Sequence, residues 1–140
     1  MIFFDTSVLI AASSPHHASH EACLDRLAAA DVRGGACAAH SLAEMYSVFT
    51  RIPPPFRIPP AAALQIAQHT SKRFTVVTLT AAEQLAVIRD LAGRELGGGM
   101  TCDALIAACA RKARATRLYT LNRKHFCKVA PDLTPRIFEP

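Results

Sequence analysis

The stretch GGGMTCDALIAACARKAR, residues 97–114, decides the fold prediction because it predicts a helix with a carboxylate at its start. Three glycines precede this helix, and we expect Thr101 to be its N-cap and Asp103 to lie in its first turn. The side chains of its predicted buried face recur at helical spacing: Leu105, Ile106, Cys109 and Ala113. Asp103 alone has an ordinary explanation, since the dipole and free N–H groups of a first turn stabilise an anion.

The composition is that of a folded domain with a modest positive charge. The 140 residues are 51% hydrophobic and 19% charged, which excludes a disordered chain and predicts one domain over residues 1–140. The net charge is +5, and arginine supplies most of the 16 cations. Arginine suits bidentate contacts with phosphate, so the charge balance is compatible with a nucleic-acid partner.

The five cysteines, at positions 23, 37, 102, 109 and 127, predict neither a disulfide framework nor a zinc knuckle. Their number is odd, and no pair has C-x-x-C spacing. Cys37 and Cys109 lie in apolar segments and are predicted core residues. We infer a reducing compartment. The start of the chain lacks the pattern of a secretory signal peptide, and no apolar run approaches the roughly 18 residues of a membrane span, so we predict a cytoplasmic protein without membrane association.

The N-terminal sequence MIFFDTSVLIAA predicts a buried strand that ends at a carboxylate. Ile2, Phe3 and Phe4 form a continuous apolar run, and Asp5 follows it. Ligands collect outside the carboxyl ends of parallel strands, so Asp5 is a candidate site residue. The alternative is a simple Asx turn that ends the strand. A helix is predicted over residues 15–30, and the histidines at its start are interpreted as a solvated or substrate-facing cluster rather than a metal site: His16, His17 and His20.

Residues 34–39 predict a second strand, and Ser41 is expected to begin the helix SLAEMYSVFTR. The predicted buried stripe of this helix consists of Leu42, Met45, Tyr46 and Phe49. Glu44 completes an S-x-x-E capping box with Ser41, which gives it a structural explanation. Glu83 has the same signature in Thr80-Ala-Ala-Glu83, and we assign it no function.

The remaining segments complete an alternation of strands and helices. The proline-rich residues 52–60 form an extended connection. The other predicted elements are a helix at 61–70, a strand at 74–79, a helix at 80–96 with Leu85, Ile88 and Leu91 or Ala92 inward, a strand at 117–121, a helical turn at 124–129 and an edge strand at 136–138. The fold class is therefore α/β, with a parallel sheet of about four or five strands flanked by helices on both faces. Its carboxyl edge should gather Asp5, residues 34–39, Thr120 and Asn122, with the Asp103 helix starting at the same edge.

Carboxylates that converge at a sheet edge repel one another unless a cation lies between them. For oxygen ligands the usual cation is Mg²⁺ or Mn²⁺. Such an ion polarises a phosphoryl oxygen and activates water, which is the chemistry of phosphodiester hydrolysis. Arginines near the rim would hold the phosphates.

Four segments resemble the motif regions of PIN-domain ribonucleases, in particular the toxins of VapBC-type toxin–antitoxin pairs: MIFFDTSVLIAA, SLAEMYSVFTR, GGGMTCDALIAACA and TLNRKHF. The resemblance covers essentially the whole chain. It implies an endoribonuclease of tRNA or ribosomal RNA that is neutralised by a cognate antitoxin. It also implies catalytic roles for Asp5, Glu44 and Asp103, with Mg²⁺ or Mn²⁺ bound chiefly by Asp5 and Asp103. Thr6, Thr120 and Asn122 are candidate supporting residues, and we expect a homodimer.

The last motif departs from the family pattern. The family often has a further acid there, whereas this chain reads Thr120-Leu-Asn122-Arg-Lys-His125-Phe. The departure puts a second metal ion in doubt, and His125 is expected to face substrate or solvent. It also supports the alternative function, a catalytically weakened module that binds RNA or protein. A receiver-type phosphoacceptor is disfavoured because the strand FTVVTL ends without an aspartate. A D-x-D phosphatase is disfavoured because Asp5-Thr6-Ser7 lacks the second acid, and no P-loop or dinucleotide-binding motif is present.

Overall fold

A computed structural model describes residues 1–31 and 34–140, and of residue 31 it describes the backbone alone. Within these described ranges, five short strands form one sheet in the order β3-β2-β1-β4-β5. The strands are β1 (Ile2–Phe4), β2 (Gly35–Ala38), β3 (Thr75–Val77), β4 (Arg117–Tyr119) and β5 (Ile137–Phe138). All four strand pairs are parallel. The α/β prediction with a parallel sheet is therefore confirmed.

In the part of the chain that the structure describes, seven α-helices connect the strands, and a short 3₁₀ helix, Pro131–Arg136, precedes β5. The α-helices are α1 (Thr6–Ala12), α2 (His20–Asp31), α3 (Ala39–Arg51), α4 (Pro60–Arg73), α5 (Ala81–Gly93), α6 (Met100–Lys112) and α7 (Arg123–Val129). The alternating side chains of β1 separate two core clusters. Phe3 packs in the cluster that includes residues of α6 and α7, and Phe4 packs with residues of α1 to α3. Helices therefore cover both faces, as expected for a parallel sheet.

The strand order places a topological switch at the centre of the sheet. Chain progression runs outward from β1 through β2 to β3 on one side, and β4 lies on the other side of β1. In open α/β sheets, the crevice at such a switch, outside the carboxyl ends of the strands, is the usual ligand site. Asp5 directly follows β1 and Thr120 directly follows β4. The fold therefore brings these two residues to that crevice.

One helix was not predicted, and the predicted starts of α2, α3 and α6 were wrong. Residues 6–12 form α1, which the sequence interpretation did not contain, and the predicted helix at 15–30 begins later, at His20. The β-branched residues Val8 and Ile10 hid this short helix, which forms because Val8, Leu9, Ala11 and Ala12 are buried against the sheet. The N-cap of α6 is Gly99, and Thr101 lies inside the helix.

The helix that was predicted to begin at Ser41 begins at Ala39, with Ala38 as its N-cap and no side-chain cap. Because Ser41 lies inside the helix, the predicted capping box with Glu44 does not form. Thr80 and Glu83 do form one, with both reciprocal hydrogen bonds present. The identical signature thus has two structural outcomes.

Three residues predicted to be buried are exposed. Tyr46 is 41% exposed because Ser41, Met45 and Phe49, at i, i+4 and i+8, form the buried face of α3. Leu85 and Ile88 are 59% and 47% exposed. On α5 the side that meets the core is that of Leu91 and the partly buried Val87, so the predicted inward face of this helix was wrong apart from Leu91.

Candidate active site

Asp5 lies at the end of β1 as the N-cap of α1, and only 2% of it is exposed. Its Oδ2 atom accepts hydrogen bonds from Ser7 Oγ and from Thr120 Oγ1, the latter at 2.8 Å. Burial raises the pKa of Asp5, although these hydroxyls and the N–H groups of Ser7 and Thr6 act in the opposite direction. The position therefore holds a carboxylate that is well oriented but poorly solvated.

Two hydrogen bonds from backbone N–H groups fix the hydroxyls that contact Asp5. Ser7 Oγ accepts a hydrogen bond from the N–H of Leu121 at 3.0 Å, and Thr120 Oγ1 accepts one from the N–H of Asn122 at 2.9 Å. Thr120 is completely buried. The segment that follows β4 is thereby tied to the start of α1, and Asp5 has little rotational freedom.

Asp103 lies in the first turn of α6, and its side chain is 12% exposed. Burial, first, and then the negative charge of Asp5 raise its pKa to about 6, and Glu44 adds to the increase. His125 acts in the opposite direction, with its Nδ1 atom 3.5 Å from Asp103 Oδ2. Because the charges of Asp5 and Glu44 both raise the pKa of Asp103, the three carboxylates lie close enough to repel one another.

Glu44 is half-buried on α3, where two partners orient its carboxylate. Oε2 accepts a hydrogen bond of 2.6 Å from Thr6 Oγ1, and Thr6 and Ser41 share a hydroxyl–hydroxyl hydrogen bond of 2.8 Å. Oε1 lies 3.6 Å from His40 Nε2. Thr6 follows Asp5 in the sequence, so α1 connects Asp5 to Glu44 through one hydroxyl group.

The groups that contact these three acids suit a divalent cation. Arg94, Arg111 and Lys112 form ion pairs with acids outside this group: Asp90, Asp132 and Glu83. The bases that contact the acidic group are two histidines, His40 beside Glu44 and His125 beside Asp103. Buried carboxylates without a strong base beside them retain unbalanced negative charge, and an all-oxygen ligand set favours Mg²⁺ or Mn²⁺. The residues present therefore fit the predicted metal.

The predicted supporting residues differ in their positions. Thr6 and Thr120 belong to the hydrogen-bond network of the carboxylates. Asn122 is exposed and starts α7, where its carbonyl accepts hydrogen bonds from the N–H groups of His125 and Phe126. Its side chain makes no capping hydrogen bond. The predicted contact of Asn122 with a metal ion thus remains a prediction.

Four residues of this region were not predicted from the sequence to belong to it: Ser7, His40, Ser41 and Cys102. Ser7 and Ser41 are hydroxyls within the carboxylate network. His40 and Cys102 face each other across α3 and α6, with 3.4 Å between Nε2 and Sγ. Burial and the charges of Glu44 and Asp103 raise the pKa of Cys102, so its thiol is neutral near pH 7. The i, i+4 spacing of His40 and Glu44 was the available sequence signal.

The histidines near the start of α2 have separate contacts. His16 stacks on Phe56 with 3.8 Å between ring centroids, and His17 Nδ1 accepts a hydrogen bond from the N–H of Ser19. His20 Nδ1 lies 3.0 Å from the carbonyl of Ala11. In the described part of the chain, the cluster with the geometry to hold a metal through histidine, cysteine or acid side chains is His40, Glu44 and Cys102.

A family model described as "PIN domain" matches residues 2–131. The chain belongs to the PIN domain family. It is 40% identical over 119 residues to Ribonuclease VapC40 of Mycobacterium tuberculosis, covering 84% of each chain. It is 36% identical over 112 residues to Ribonuclease VapC27 of the same organism, covering 79% of this chain and 77% of that protein.

Solved structures of PIN-type proteins share the fold. The crystal structure of M. tuberculosis VapC20, a Sarcin-Ricin loop cleaving toxin, superposes with a TM-score of 0.73 at 22% identity, covering 91% of this chain and 95% of that one. VapBC2 from Rickettsia felis, bound to a DNA fragment from its promoter, gives a TM-score of 0.70 at 19% identity, with 99% and 98% covered. These likenesses place the PIN domain family's sheet and helices in this chain.

Proposed function

We propose that this protein is a metal-dependent endoribonuclease that acts as the toxin of a toxin–antitoxin pair. The observation that carries the proposal is the convergence of Asp5, Glu44 and Asp103 at the switch point of a PIN domain fold. The two curated relatives named above are both called ribonucleases. A cytoplasmic site of action agrees with five free cysteines and with the finding that no helix of the described residues is long and apolar enough to cross a membrane.

Asp5 and Asp103 would hold Mg²⁺ or Mn²⁺, and Glu44 would complete the acidic rim. When bound, the ion would supply Lewis acidity at a phosphoryl oxygen and make water more acidic. The chain's own contribution is orientation: the hydroxyls of Ser7 and Thr120 fix Asp5, and Thr6 fixes Glu44. Partial burial of the acids lowers the local dielectric and strengthens their attraction for the ion.

The RNA backbone would approach the site over the start of α7. This first turn contains Arg123, Lys124 and His125, although a helix dipole disfavours cations at that end. His125 contacts Asp103, so the turn borders the acidic group. These cations at the start of a helix are unfavourable for its stability, and such unfavourable local choices commonly occur at functional sites. We propose transfer RNA or ribosomal RNA as the substrate class.

The test is cleavage of a defined RNA by purified protein in Mg²⁺ or Mn²⁺. We expect activity that EDTA abolishes, and a loss of activity in Asp5→Asn, Asp103→Asn and Glu44→Gln. Glu83→Gln is the matched control because Glu83 has the same sequence signature as Glu44 but forms a surface capping box. RNA binding that persists without cleavage in any divalent ion would instead favour the alternative, a binding module, which the missing last-motif acid supports.

An antitoxin partner and a homodimer are part of the same proposal. Structural neighbours include a VapBC2 complex and FitAB bound to a DNA fragment, the latter with a TM-score of 0.67 at 19% identity. The exposed apolar side chains of Tyr46, Leu85 and Ile88 are candidate contacts for such partners. Light scattering of the purified chain, alone and with the product of the adjacent small open reading frame, measures both assemblies. A strictly monomeric chain would contradict the homodimer.

A further inference from the structure

His40, Glu44 and Cys102 form a second constellation next to the acidic group. His40 and Glu44 are four residues apart on α3, so their side chains extend from one face of the helix. Cys102 reaches them from the first turn of α6. One ligand atom of each residue lies within 4.8 Å of the other two. The resemblance to PIN-domain ribonucleases assigned no role to His40 or Cys102.

The two separations that His40 makes, to Cys102 and to Glu44, match a tetrahedral zinc site, and the third ligand pair lies within 4.8 Å. Zinc lies about 2.0–2.1 Å from a histidine nitrogen, about 2.0–2.2 Å from a carboxylate oxygen and about 2.3 Å from a thiolate. At tetrahedral angles, such bonds separate nitrogen from sulfur by about 3.5 Å and nitrogen from oxygen by about 3.4 Å. The structure has 3.4 Å between His40 Nε2 and Cys102 Sγ, and 3.6 Å between His40 Nε2 and Glu44 Oε1. An ion therefore needs little rearrangement to bind.

The donor types select the metal. A thiolate and an imidazole favour Zn²⁺ over Mg²⁺, which prefers oxygen ligands, and Mn²⁺ stands at the weak end of the divalent series for such sites. Three protein ligands leave a fourth position for water, and all three side chains are at least partly accessible to solvent. Binding displaces the thiol proton of Cys102 to solvent, and the resulting thiolate becomes the zinc ligand.

We propose that His40, Glu44 and Cys102 bind Zn²⁺, and that this binding inhibits the nuclease by withdrawing Glu44 from the Mg²⁺ site. The first half stands on the geometry of the three ligands. The second half rests on the proposed function, because it requires Glu44 to serve the magnesium-dependent reaction. Zinc bound there also places a positive charge beside Asp103, which weakens the attraction of the acidic group for a second cation.

Cobalt substitution tests the zinc site without measuring activity. Metal-free protein in a non-thiol reductant is titrated with Co²⁺, and Zn²⁺ is then added to displace it. We expect the visible bands of tetrahedral Co²⁺ and a near-ultraviolet thiolate charge-transfer band, both abolished by one equivalent of Zn²⁺. Cys102→Ser and His40→Gln should remove the charge-transfer band or weaken Zn²⁺ binding more than about 100-fold, beyond the loss of an outer-shell contact.

Two control variants locate the signal. Cys127→Ser removes another partly buried cysteine, and Asp5→Asn removes a carboxylate of the proposed magnesium site. Both should retain the cobalt spectrum. Circular dichroism of every variant verifies the fold. A charge-transfer band that survives Cys102→Ser, or Co²⁺ binding with no such band in the wild type, would overturn the zinc site.

Inhibition is measured by adding Zn²⁺ to the cleavage reaction at fixed Mg²⁺. Each rate is expressed relative to the same protein without zinc. We expect at least a tenfold loss of rate in the wild type and a shift of the inhibitory Zn²⁺ concentration by more than about 100-fold in Cys102→Ser. If zinc displaces cobalt but inhibits the wild type and Cys102→Ser equally, the proposal that zinc withdraws Glu44 from the Mg²⁺ site is wrong. If the wild type cleaves no RNA, the proposed nuclease fails while the cobalt spectra still decide the zinc site.

Discussion

Replacing Asp103 with asparagine should stabilise the metal-free protein at neutral pH. The pKa of Asp103 is raised from 3.8 to about 6, chiefly by burial and then by Asp5. At about 1.4 kcal/mol for each pH unit, this difference corresponds to roughly 3 kcal/mol. The side chain is 12% exposed, so solvent screening reduces the figure modestly, and we expect a gain of about 2 kcal/mol. The asparagine side chain has nearly the same size as the aspartate and carries no charge.

The pH dependence gives the sign of this effect. Because the folded pKa of Asp103 lies above the unfolded value, the folded state holds the proton more tightly. Its contribution to stability is fully present below about pH 4 and is lost as the pH rises through about 6. The pKa of Asp5 is also raised, so in both proteins Asp5 makes the free energy of unfolding decrease as the pH rises. The two proteins should therefore have similar stability near pH 4 and diverge above it.

Urea denaturation in EDTA between pH 4 and 8 measures the difference. Asp132→Asn is the matched control, because Arg111 lowers the pKa of Asp132 and removal of that charge should destabilise the fold instead. Added Mn²⁺ should reverse the order: at about 100 times its dissociation constant it stabilises the wild type by roughly 2.7 kcal/mol and Asp103→Asn far less. Equal pH profiles for the wild type and Asp103→Asn in EDTA would refute the electrostatic argument.

Three further substitutions test other parts of the structure. Gly35→Ala places a Cβ 2.5 Å from the Phe74 ring. We therefore expect urea denaturation to show a free energy of unfolding that is lower by about 1–3 kcal/mol. A decrease below roughly 0.5 kcal/mol, the range of surface substitutions, would show that the ring moves aside freely. Asn122→Asp should tighten Mn²⁺ binding in calorimetric titration if the side chain faces the ion, because a carboxylate binds a hard cation better than an amide does. An unchanged affinity would leave the last motif a role in folding or substrate contact. Lys124→Ala should weaken RNA binding and reduce its salt dependence by about one phosphate contact, whereas Lys72→Ala, at the opposite edge of the sheet, should not.

The strands and the residues that follow them were predictable because they depend on local apolar runs. Phe3 and Phe4 predict a strand buried on both faces, and Asp5 ends it whatever the neighbouring strands are. The parallel sheet follows from the alternation with helices. The gathering of Asp5 and Thr120 at one edge follows in turn, and the structure joins them by a hydrogen bond.

The faces of the helices were less predictable, because helical spacing shows which side chains align but not which alignment meets the core. On α5, Leu85 and Ile88 are spaced as a buried face, yet the side that packs in the core is that of Val87 and Leu91. The pairing of His40 with Cys102 is also beyond sequence spacing, since 62 residues separate them. Such contacts arise from the packing of α3 and α6 against the sheet.

Glu44 and Glu83 have the same capping signature in the sequence but different hydrogen-bond partners in the structure. Glu83 accepts the N–H of Thr80 and the ammonium group of Lys112, which satisfies it on the surface. Glu44 has the same signature, but α3 begins at Ala39, two residues before Ser41, so its carboxylate is free of the helix start. Thr6 instead donates to Glu44, in the turn that follows Asp5. The Ser41–Glu44 cap, which would usually contribute about 1 kcal/mol, is therefore absent. The carboxylate of Glu44 is oriented instead by α1, the same segment that positions Asp5. This exchange of a local interaction for a long-range one supports the proposed catalytic role of Glu44. The proposal therefore predicts that Glu44→Gln lowers activity and Glu83→Gln does not, despite their common sequence pattern.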